Sequence, residues 1–493
     1  MKRYLALLLA LVMLLSASLL TLTSCGEEEE EVKRPAGEGQ GNTPVIEGDI
    51  FAERAAVSDD LETVDYGGRK FRIITPRPAE VYGSGENNRN KGDLLTDARL
   101  SRNETVENRF NVDVEIVYEN DINQVASYVS KVVLSGVDEF DLLIGHLGAT
   151  GQLVLKNLFL NWYDIPNINF DKPWWNASNK TNLSYDGKCI LAVSDLNFSA
   201  IQFTYAMFFN KTLANAYDFG NLYKVALDGD WTYDYFYSLI KDVYVDDGDG
   251  KRNSADFYGY ITNKSDEANQ WLWAFNNPIM GFDADGVPEI VLKTDKINTI
   301  VKNIYDLFYN TKGTSIHGET GGYPRTMFVN GRCMFVPASI QFATVKELRN
   351  FEDDYGILPM PKFNEQQQDY YTMAYAEHTL LAVPKTVKDT EFVGTIVEAL
   401  SAESYKQLTP TFYEIALKTR YLRDSESKKV LDTIIENTVF DFGYVYRGYG
   451  SFAEVLSTMI KEKNNNFESY YNSKISAARN HYNKVVRAFD KLG

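Results

Sequence analysis

Four histidines and three cysteines are the side chains here that most often bind transition metals or support nucleophilic catalysis. No histidine lies near another in the sequence, and the cysteines do not have zinc-binding spacing. The sequence also contains no G-x-S-x-G elbow, P-loop or H-E-x-x-H motif. We therefore predict no catalytic residue and no enzymatic activity. A glycosidase-type carboxylate pair stays open, because the chain has 68 acidic residues.

An acidic run at 245–256 nearly fits a calcium-binding loop. Asp247, Asp249 and Asp256 match positions three, five and twelve of such a loop, and Gly250 matches position six. Val245, however, stands at position one, where the loop needs an aspartate. We interpret the run as a solvated acidic turn, with calcium binding as the alternative. The sequence therefore predicts no metal and no cofactor.

Aromatic side chains are abundant, with 32 Tyr, 28 Phe and 6 Trp. Tyr and Trp offer flat apolar faces with a polar group, which suits the C–H faces and hydroxyls of sugars, although most rings must pack in a core. Trp175 follows a turn signal that ends at Pro173, and Trp271 and Trp273 lie two apart on a predicted helix. We predict that at least one of the six tryptophans stacks on a ligand and name these three as candidates, with core packing as the alternative for each.

The elements that would position such side chains begin with alternating strands and helices. Strands are predicted at 71–75, 112–118 and 140–144, and helices at 94–110 and 125–134. This β-α-β-α-β order predicts a largely parallel sheet with helices on both faces. His146, in a predicted loop at 146–151, follows the carboxyl end of the third strand, where open α/β sheets bind ligands. The last hundred residues are predicted to be mostly helical.

The N-terminus has the layout of an export signal. Lys2 and Arg3 precede an almost wholly apolar run at 4–22, and residues 1–24 are predicted to be a signal peptide. The run Leu22-Thr23-Ser24-Cys25 resembles the lipobox of bacterial lipoproteins, in which the cysteine receives a lipid. An uncleaved transmembrane anchor is the alternative. Residues 25–60 are rich in Glu, Gly and Pro, which predicts a lipidated flexible tether.

Length and charge restrict the function classes further. The chain has 493 residues, more than one typical core requires, so two lobes are expected. Its formal net charge is −18, and no block of basic residues appears. Such an acidic protein repels nucleic acid, so we predict no nucleic-acid partner.

Several short motifs, taken in order, resemble the family 1 extracellular solute-binding proteins, whose best-known members bind maltodextrins and other oligosaccharides. The resemblance covers about residues 66–460, and each motif alone has low specificity. The motifs are AMFFNKTL at 206–213, DWTYD at 230–234, DGDGK at 247–251, YGY at 258–260, FVNGRCMF at 328–335, YGILPMP at 355–361 and LAVPK at 381–385.

The resemblance implies an α/β, two-lobed periplasmic-binding-protein-like fold of type II with a helical C-terminal region. Residues 61–195 are expected to form the first part of lobe 1, and residues 196–335 are expected to form the main part of lobe 2. Residues 336–493 would supply the return segments of both lobes and the helical C-terminal region. The lobes of such proteins close around solute by a hinge motion.

The resemblance also places further polar residues at the lobe interface. Asp195 and Asn197 fall in the first expected crossing between lobes, and Glu377 and His378 adjoin the last one. With His146, they would bond solute hydroxyls while aromatic rings supply contact area. Helix capping or loop hydrogen bonding is the alternative for each residue.

The implied function is a lipid-anchored solute-binding receptor of an ABC importer, held on the outer face of the cell membrane by Cys25. Its expected partners are a small solute, most simply a sugar, and the permease subunits, and the protein is expected to be a monomer. Two alternatives stay open: a secreted glycan-degrading enzyme, and a binding or signalling lipoprotein without a transport role.

Overall fold

Helices and strands alternate through most of the chain in the computed structural model, which describes residues 50–82, 94–417, 425–448 and 450–492. The predicted signal peptide at 1–24, Cys25 and tether residues 25–49 lie outside these ranges. The strands, β1 to β16, are Arg69–Thr75, Val112–Glu119, Leu142–His146, Ser184–Tyr185, Lys188–Cys189, Tyr205–Asn210, Tyr244–Val245, Phe257–Thr262, Met280–Phe282, Pro288–Ile290, Thr314–Ile316, Cys333–Ser339, Tyr355–Leu358, Thr372–Met373, Thr379–Ala382 and Thr438–Val439.

The α-helices are numbered α1 to α20 in chain order. They are Ile50–Ala55, Ala79–Tyr82, Leu94–Phe110, Ile122–Leu134, Leu147–Leu153, Ser178–Thr181, Ser199–Gln202, Lys211–Ala216, Leu222–Leu227, Tyr233–Ile240, Asp266–Ala274, Ile297–Tyr309, Pro324–Val329, Lys346–Arg349, Thr390–Glu403, Thr409–Leu417, Ser425–Glu436, Phe442–Val445, Val455–Lys461 and Phe467–Asp490. Short 3-10 turns span Val154–Lys156, Trp162–Asp164 and Ile340–Thr344, and a π-helical turn spans Ser404–Leu408.

The first sheet has the strand order β15-β3-β1-β2. β1 pairs in parallel with β2 and β3, which confirms the predicted β-α-β-α-β unit. Ile73 and Ile74 belong to different hydrophobic clusters because successive residues of a strand point to opposite faces. The fourth strand, β15, comes from much later in the chain and pairs antiparallel with β3. β3 and β15 are buried on both faces, whereas the edge strand β2 alternates buried and exposed residues.

The second sheet has the order β11-β8-β12-β6-β13, and β7 pairs with β8. β8, β11 and β12 run in parallel, whereas β6 is antiparallel to β12 and β13. Aromatic side chains fill its core: Phe208, Phe236 and Phe335 are completely buried. β12 crosses the predicted boundary between the main part of lobe 2 and the return segments, whereas β13 lies wholly in the return region, and both complete this second sheet.

Two segments that lie side by side cross from one sheet to the other. Residues 196–204 lead from the first sheet to β6, and residues 374–378 lead back to β15. The Tyr375 N–H donates to the Phe203 carbonyl over 2.7 Å, and Thr204 forms a bridge with Ala374. The crossings are therefore held together by backbone hydrogen bonds.

The C-terminal region is helical, as predicted, from α15 to α20. The longest helix, Phe467–Asp490, buries Phe467, Tyr482 and Phe489 against the body. Tyr482 donates to the Gly443 carbonyl over 2.8 Å. Within the part of the chain that the structure describes, no helix combines the length and apolar character needed to cross a membrane.

The end of the predicted tether differs from expectation, because residues 50–60 pack on the body. Residues 50–55 form α1, and the Arg54 guanidinium lies 4.3 Å from the centroid of the Tyr405 ring. Asp59 pairs with Arg109 over 2.5 Å, and Asp60 pairs with Lys172 over the same distance. Composition alone did not reveal these contacts, since each depends on a residue distant in sequence.

A second difference concerns the loop predicted at 146–151, which forms the helix Leu147–Leu153 instead. Its glycines indicated a loop, but they serve close packing. A Cβ atom on Gly151 would lie 2.2 Å from the Val445 carbonyl oxygen, and one on Gly148 would lie 2.9 Å from the Arg447 guanidinium. The glycines therefore allow α18 and the residues after it to approach this helix.

A buried carboxyl group anchors the tryptophan pair of the first lobe. Trp174 and Trp175 donate their indole N–H groups to Glu398 over 3.0 and 2.8 Å. Burial raises the pKa of Glu398 to about 7, although its hydrogen bonds with Trp175 and Asn169 act in the opposite direction. The folded protein therefore holds a proton there at pH values where the unfolded chain has released it.

We expect the Glu398→Gln variant to gain stability relative to the wild type as pH rises. A native pKa of about 7 against an ordinary 4.5 means that ionisation of Glu398 favours unfolding between pH 5 and 8. The difference in unfolding free energy between the two proteins should change by about 3 kcal/mol across this window. Urea unfolding at each pH measures it. Glu391→Gln, an exposed change on the same helix, is the control; parallel pH curves for Glu398→Gln and wild type would contradict the expectation.

Candidate functional site

Four polar residues meet at the edge of the first sheet where β1 and β3 end. Arg77 follows β1, and its Nη2 atom lies 2.5 Å from Oε2 of Glu377. The other carboxylate oxygen of Glu377 lies 3.6 Å from Nε2 of His146, the last residue of β3. The backbone carbonyl of His378 accepts a hydrogen bond from the Leu147 N–H over 3.0 Å. The structure thus brings together three residues singled out from the sequence and adds Arg77.

Both histidines of this cluster are neutral at pH 7. Burial lowers the pKa of His146, although nearby Glu377 acts in the opposite direction. Burial also lowers the pKa of His378 to about 3. A neutral imidazole offers one N–H donor and one nitrogen acceptor. His146 can therefore both donate to and accept from a hydroxyl group. The Nδ1–H of His378 donates to the Tyr375 carbonyl over 2.8 Å, which leaves its Nε2 atom as an acceptor.

Several nitrogen atoms of the cluster are buried without a hydrogen-bond partner among the described residues. They are Nε of Arg77, both ring nitrogens of His146 and Nε2 of His378. Leaving a buried polar group unsatisfied costs about 1–3 kcal/mol, so native proteins rarely do it without a reason. A bound molecule with hydroxyl groups would satisfy these atoms.

Two acidic residues lie at the corresponding edge of the second sheet. Asp266 and Glu267 begin the helix that follows β8. Burial raises the pKa of Asp266 to about 6 and that of Glu267 to about 7. Tyr444 donates to Asp266 over 3.4 Å, and the Tyr205 hydroxyl is hydrogen-bonded to Glu267. Glu267 is therefore only partly ionised near neutral pH.

Aromatic rings on the crossing segments connect the two edges. The Tyr375 ring lies 6.1 Å from both Phe203 and Tyr205, centroid to centroid. The Arg77 guanidinium lies 5.5 Å from the Phe203 ring. Burial, together with the negative charges of Asp266, Glu377 and Glu267, raises the pKa of Tyr375 to about 12. The inter-sheet site, as we call it, comprises Arg77, His146, Phe203, Tyr205, Asp266, Glu267, Tyr375, Glu377 and His378.

The fold was compared with known proteins. The sequence matches no protein-family model and no curated protein sequence. A cyclo/maltodextrin-binding protein complexed with maltotetraose has a TM-score of 0.51 and 14% identity, covering 86% of this chain and 98% of that one. An ABC transporter solute-binding protein from Agrobacterium radiobacter K84, in complex with ribitol, has a TM-score of 0.51 and 12% identity, covering 85% and 100%.

The chain has the fold of ABC transporter solute-binding proteins. The predicted fold class, a two-lobed α/β periplasmic-binding-protein fold of type II with a helical C-terminal region, is therefore confirmed. The two sheets are the cores of its two lobes. The inter-sheet site lies where a strand-end ligand site is expected in an α/β lobe.

Three other residues singled out from the sequence lie away from the inter-sheet site. Trp175 and Asp195 line a separate cavity of about 340 Å³. Asn197 is completely buried; its amide donates to the Thr379 carbonyl over 2.6 Å and accepts from the Ser194 N–H over 2.8 Å. Asn197 is therefore a structural residue, as the hydrogen-bonding alternative proposed.

The two tryptophans of helix α11 also lie outside the inter-sheet site. Trp271 is completely buried, with its ring 5.7 Å from Phe236 and 5.9 Å from Tyr233. Trp273 is 2% exposed, and its indole N–H donates to Asp441 over 3.2 Å. Aromatic neighbours enclose Trp271, which corrects the expectation for that ring. Trp273 lines a separate cavity of about 280 Å³, so ligand stacking stays a prediction for Trp273.

Four carboxylates of the acidic turn converge, within 4.8 Å of one another, and include Asp246, which the loop pattern did not select. The others are Asp247, Asp249 and Asp256. Donors of the turn itself hold Asp256: the N–H groups of Asn253 and Asp247 lie 2.9 and 3.1 Å from its carboxylate. Asp256 is buried, whereas Asp247 and Asp249 are exposed, so this geometry is compatible with both the solvated acidic turn and the calcium alternative.

We expect Trp271→Ala to destabilise the protein by about 3–5 kcal/mol, because it removes a completely buried ring from an aromatic core. Urea unfolding followed by circular dichroism measures the change. Tyr323→Ala, at a ring that is 52% exposed, is the control and should unfold like the wild type. Wild-type stability for Trp271→Ala would show that the core account of this residue is wrong.

Proposed function

We propose that this protein is a solute-binding receptor of an ABC importer and that it takes a carbohydrate in the inter-sheet site. One observation carries the proposal: buried nitrogen atoms of Arg77, His146 and His378 have no hydrogen-bond partner among the described residues and adjoin aromatic rings. Sugar hydroxyls can donate to and accept from such atoms, and sugar C–H faces pack on rings. This combination suits a neutral polyhydroxylated solute.

The fold supports the same proposal. The two compared structures, which have TM-scores of 0.51, were solved with maltotetraose and with ribitol, both of them polyhydroxylated. The net charge of −18 argues against nucleic-acid binding. A receptor that binds and releases its solute unchanged requires no catalytic group.

A glycan-degrading enzyme is the second candidate. The observation that favours it is the presence of two kinds of carboxyl group in one site. Burial raises the pKa of Glu267 to about 7, as a general acid requires, while Glu377 is ion-paired with Arg77. Such an enzyme would release shorter glycans over time, whereas a receptor returns the ligand intact.

We expect one or more sugars in a screen of malto-oligosaccharides, other oligosaccharides and polyols to raise the melting temperature of the purified protein. Binding to the folded state alone stabilises it by mass action. Arg77→Gln should then weaken binding of the selected sugar about tenfold in calorimetry, because hydrogen bonds to charged groups contribute about 1.5–3 kcal/mol. Chromatography of the recovered ligand reports whether it was cleaved.

Arg479→Gln, an exposed change of the same chemistry, is the control for this experiment and should bind like the wild type. Stabilisation by peptides or polyamines instead of sugars would overturn the carbohydrate assignment. Equal affinities for the Arg77→Gln and Arg479→Gln variants would place the solute outside the inter-sheet site.

We further propose that residues 1–24 are removed on export, that Cys25 carries a lipid, and that the protein acts on the outer face of the cell membrane beside its permease subunits. Cys25→Ser should move the protein from the membrane fraction to the soluble fraction. The substitution removes the thiol that would carry the lipid, and this lipid is the proposed anchor. Cys189→Ser, at a buried free cysteine, is the matched control and should stay on the membrane. A Cys25→Ser protein that remains membrane-bound would favour an uncleaved transmembrane anchor.

A further inference from the structure

A cavity of about 340 Å³ lies beside the first crossing segment and contacts four distant parts of the chain. The geometry points to a second ligand site here, for a small organic cation. Arg54 of α1, residues 173–177 and 193–195 of the first lobe, and residues 200–204 of the crossing form part of the wall. C-terminal residues within 405–413 and 435–440 form the rest. The volume falls in the range of small-molecule sites.

The crossing separates this cavity from the inter-sheet site. Phe203 and Thr204 are neighbours in sequence but face opposite ways. Phe203 lies 5.5 Å from the Arg77 guanidinium, in the inter-sheet site, whereas the Thr204 hydroxyl lies 3.2 Å from that of Thr438, in the cavity wall. A ligand in the cavity therefore does not occupy the solute position.

The charged groups of the cavity leave an excess of negative charge. Asp195 and Glu436 contribute carboxylates, and Arg54 contributes the guanidinium. That guanidinium already has partners, since its Nη1 donates to the Tyr405 carbonyl over 3.3 Å and it lies 4.3 Å from the Tyr405 ring centroid. A ligand with one positive charge would balance the set.

Asp195 is the group that such a cation would contact. Among the described residues, its carboxylate accepts one hydrogen bond, from the Thr409 hydroxyl over 2.7 Å, which leaves its other oxygen available. Burial raises the pKa of Asp195 to about 6, while Arg54 and Thr409 lower it. A half-satisfied carboxylate in a cavity gains most from a ligand that carries a positive charge.

The apolar part of the lining fits the same class of ligand. Trp175 and Phe440 supply aromatic surface around the cavity, whereas the Arg54 guanidinium lies over the rings of Tyr405 and Tyr413, 4.3 and 5.4 Å from their centroids. Aromatic faces attract ammonium groups by about 0.5–2 kcal/mol, more than they attract neutral groups of equal size. An anion would be repelled by the two carboxylates, and a neutral sugar would leave the charge of Asp195 unbalanced.

Calorimetry with choline on the mature chain, at pH 8 and low ionic strength, tests the inference. The comparison ligand is 3,3-dimethyl-1-butanol, which has the shape of choline but carries no charge. We expect choline to bind with a stoichiometry of one and the neutral alcohol to bind at least about tenfold more weakly. No choline binding, or equal binding of the two ligands, would overturn the inference.

Variants then locate the bound cation. Asp195→Asn should weaken choline binding about tenfold, and the exposed change Glu436→Gln should weaken it about threefold without risk to folding. Asp285→Asn, an exposed carboxylate outside the cavity lining, should leave choline binding unchanged. An equal loss in Asp285→Asn would show general surface attraction instead of a site.

A final variant separates this site from the solute site. Arg77→Gln, which is expected to weaken sugar binding, should bind choline with wild-type affinity because Arg77 lies on the other side of the crossing. Loss of choline binding in that variant would place the cation in the inter-sheet site and overturn the second site. Failure to find a sugar would leave the choline result intact, since the two binding events are measured independently.

Discussion

The antiparallel pairing of β15 with β3 joins two distant parts of the chain, and the arrangement of the inter-sheet site depends on it. The register places Thr379 opposite His146, so Glu377 and His378 arrive beside the end of a strand formed much earlier in the sequence. The residues that lead into β15 are also the second crossing segment, bonded to the first through Tyr375. One strand pairing therefore positions the polar edge of the first sheet and the return crossing together.

Burial determines the chemistry at both edges of the inter-sheet site. At the first edge it lowers the pKa of His378 to about 3, which leaves a neutral ring able to donate and accept. At the second edge it raises the pKa of Glu267 to about 7. Both shifts have the same cause, since an apolar environment disfavours the charged form of either group. The site consequently presents hydrogen-bonding groups with less net charge than their ordinary pKa values would give.

Much of the fold could be predicted from the sequence because local periodicity carries the information. The strands β1 and β2 and the helix 94–110 follow from the spacing of apolar residues. The helix Leu147–Leu153 was missed because its glycines serve tight contacts with Val445 and Arg447, which lie far away in the chain. The packed residues 50–60 were missed for the same reason.

The site was partly predictable. His146 was found because it ends a strand, and the same rule applied to β1 would have selected Arg77, which follows it closely. The sequence did not show that the indole N–H groups of Trp175 and Trp273 are bound to Glu398 and Asp441, because these acceptors come from distant segments.

The sequence by itself determined the element order, the acidic charge and the resemblance to solute-binding proteins, since these depend on residues close together in the chain. Only the tertiary structure decided which candidates share a site. Trp271 became core, Asp195 joined a separate cavity, and His146, Glu377 and His378 met at one edge. The physical reason is that burial and side-chain direction depend on contacts between distant segments, which local patterns do not encode.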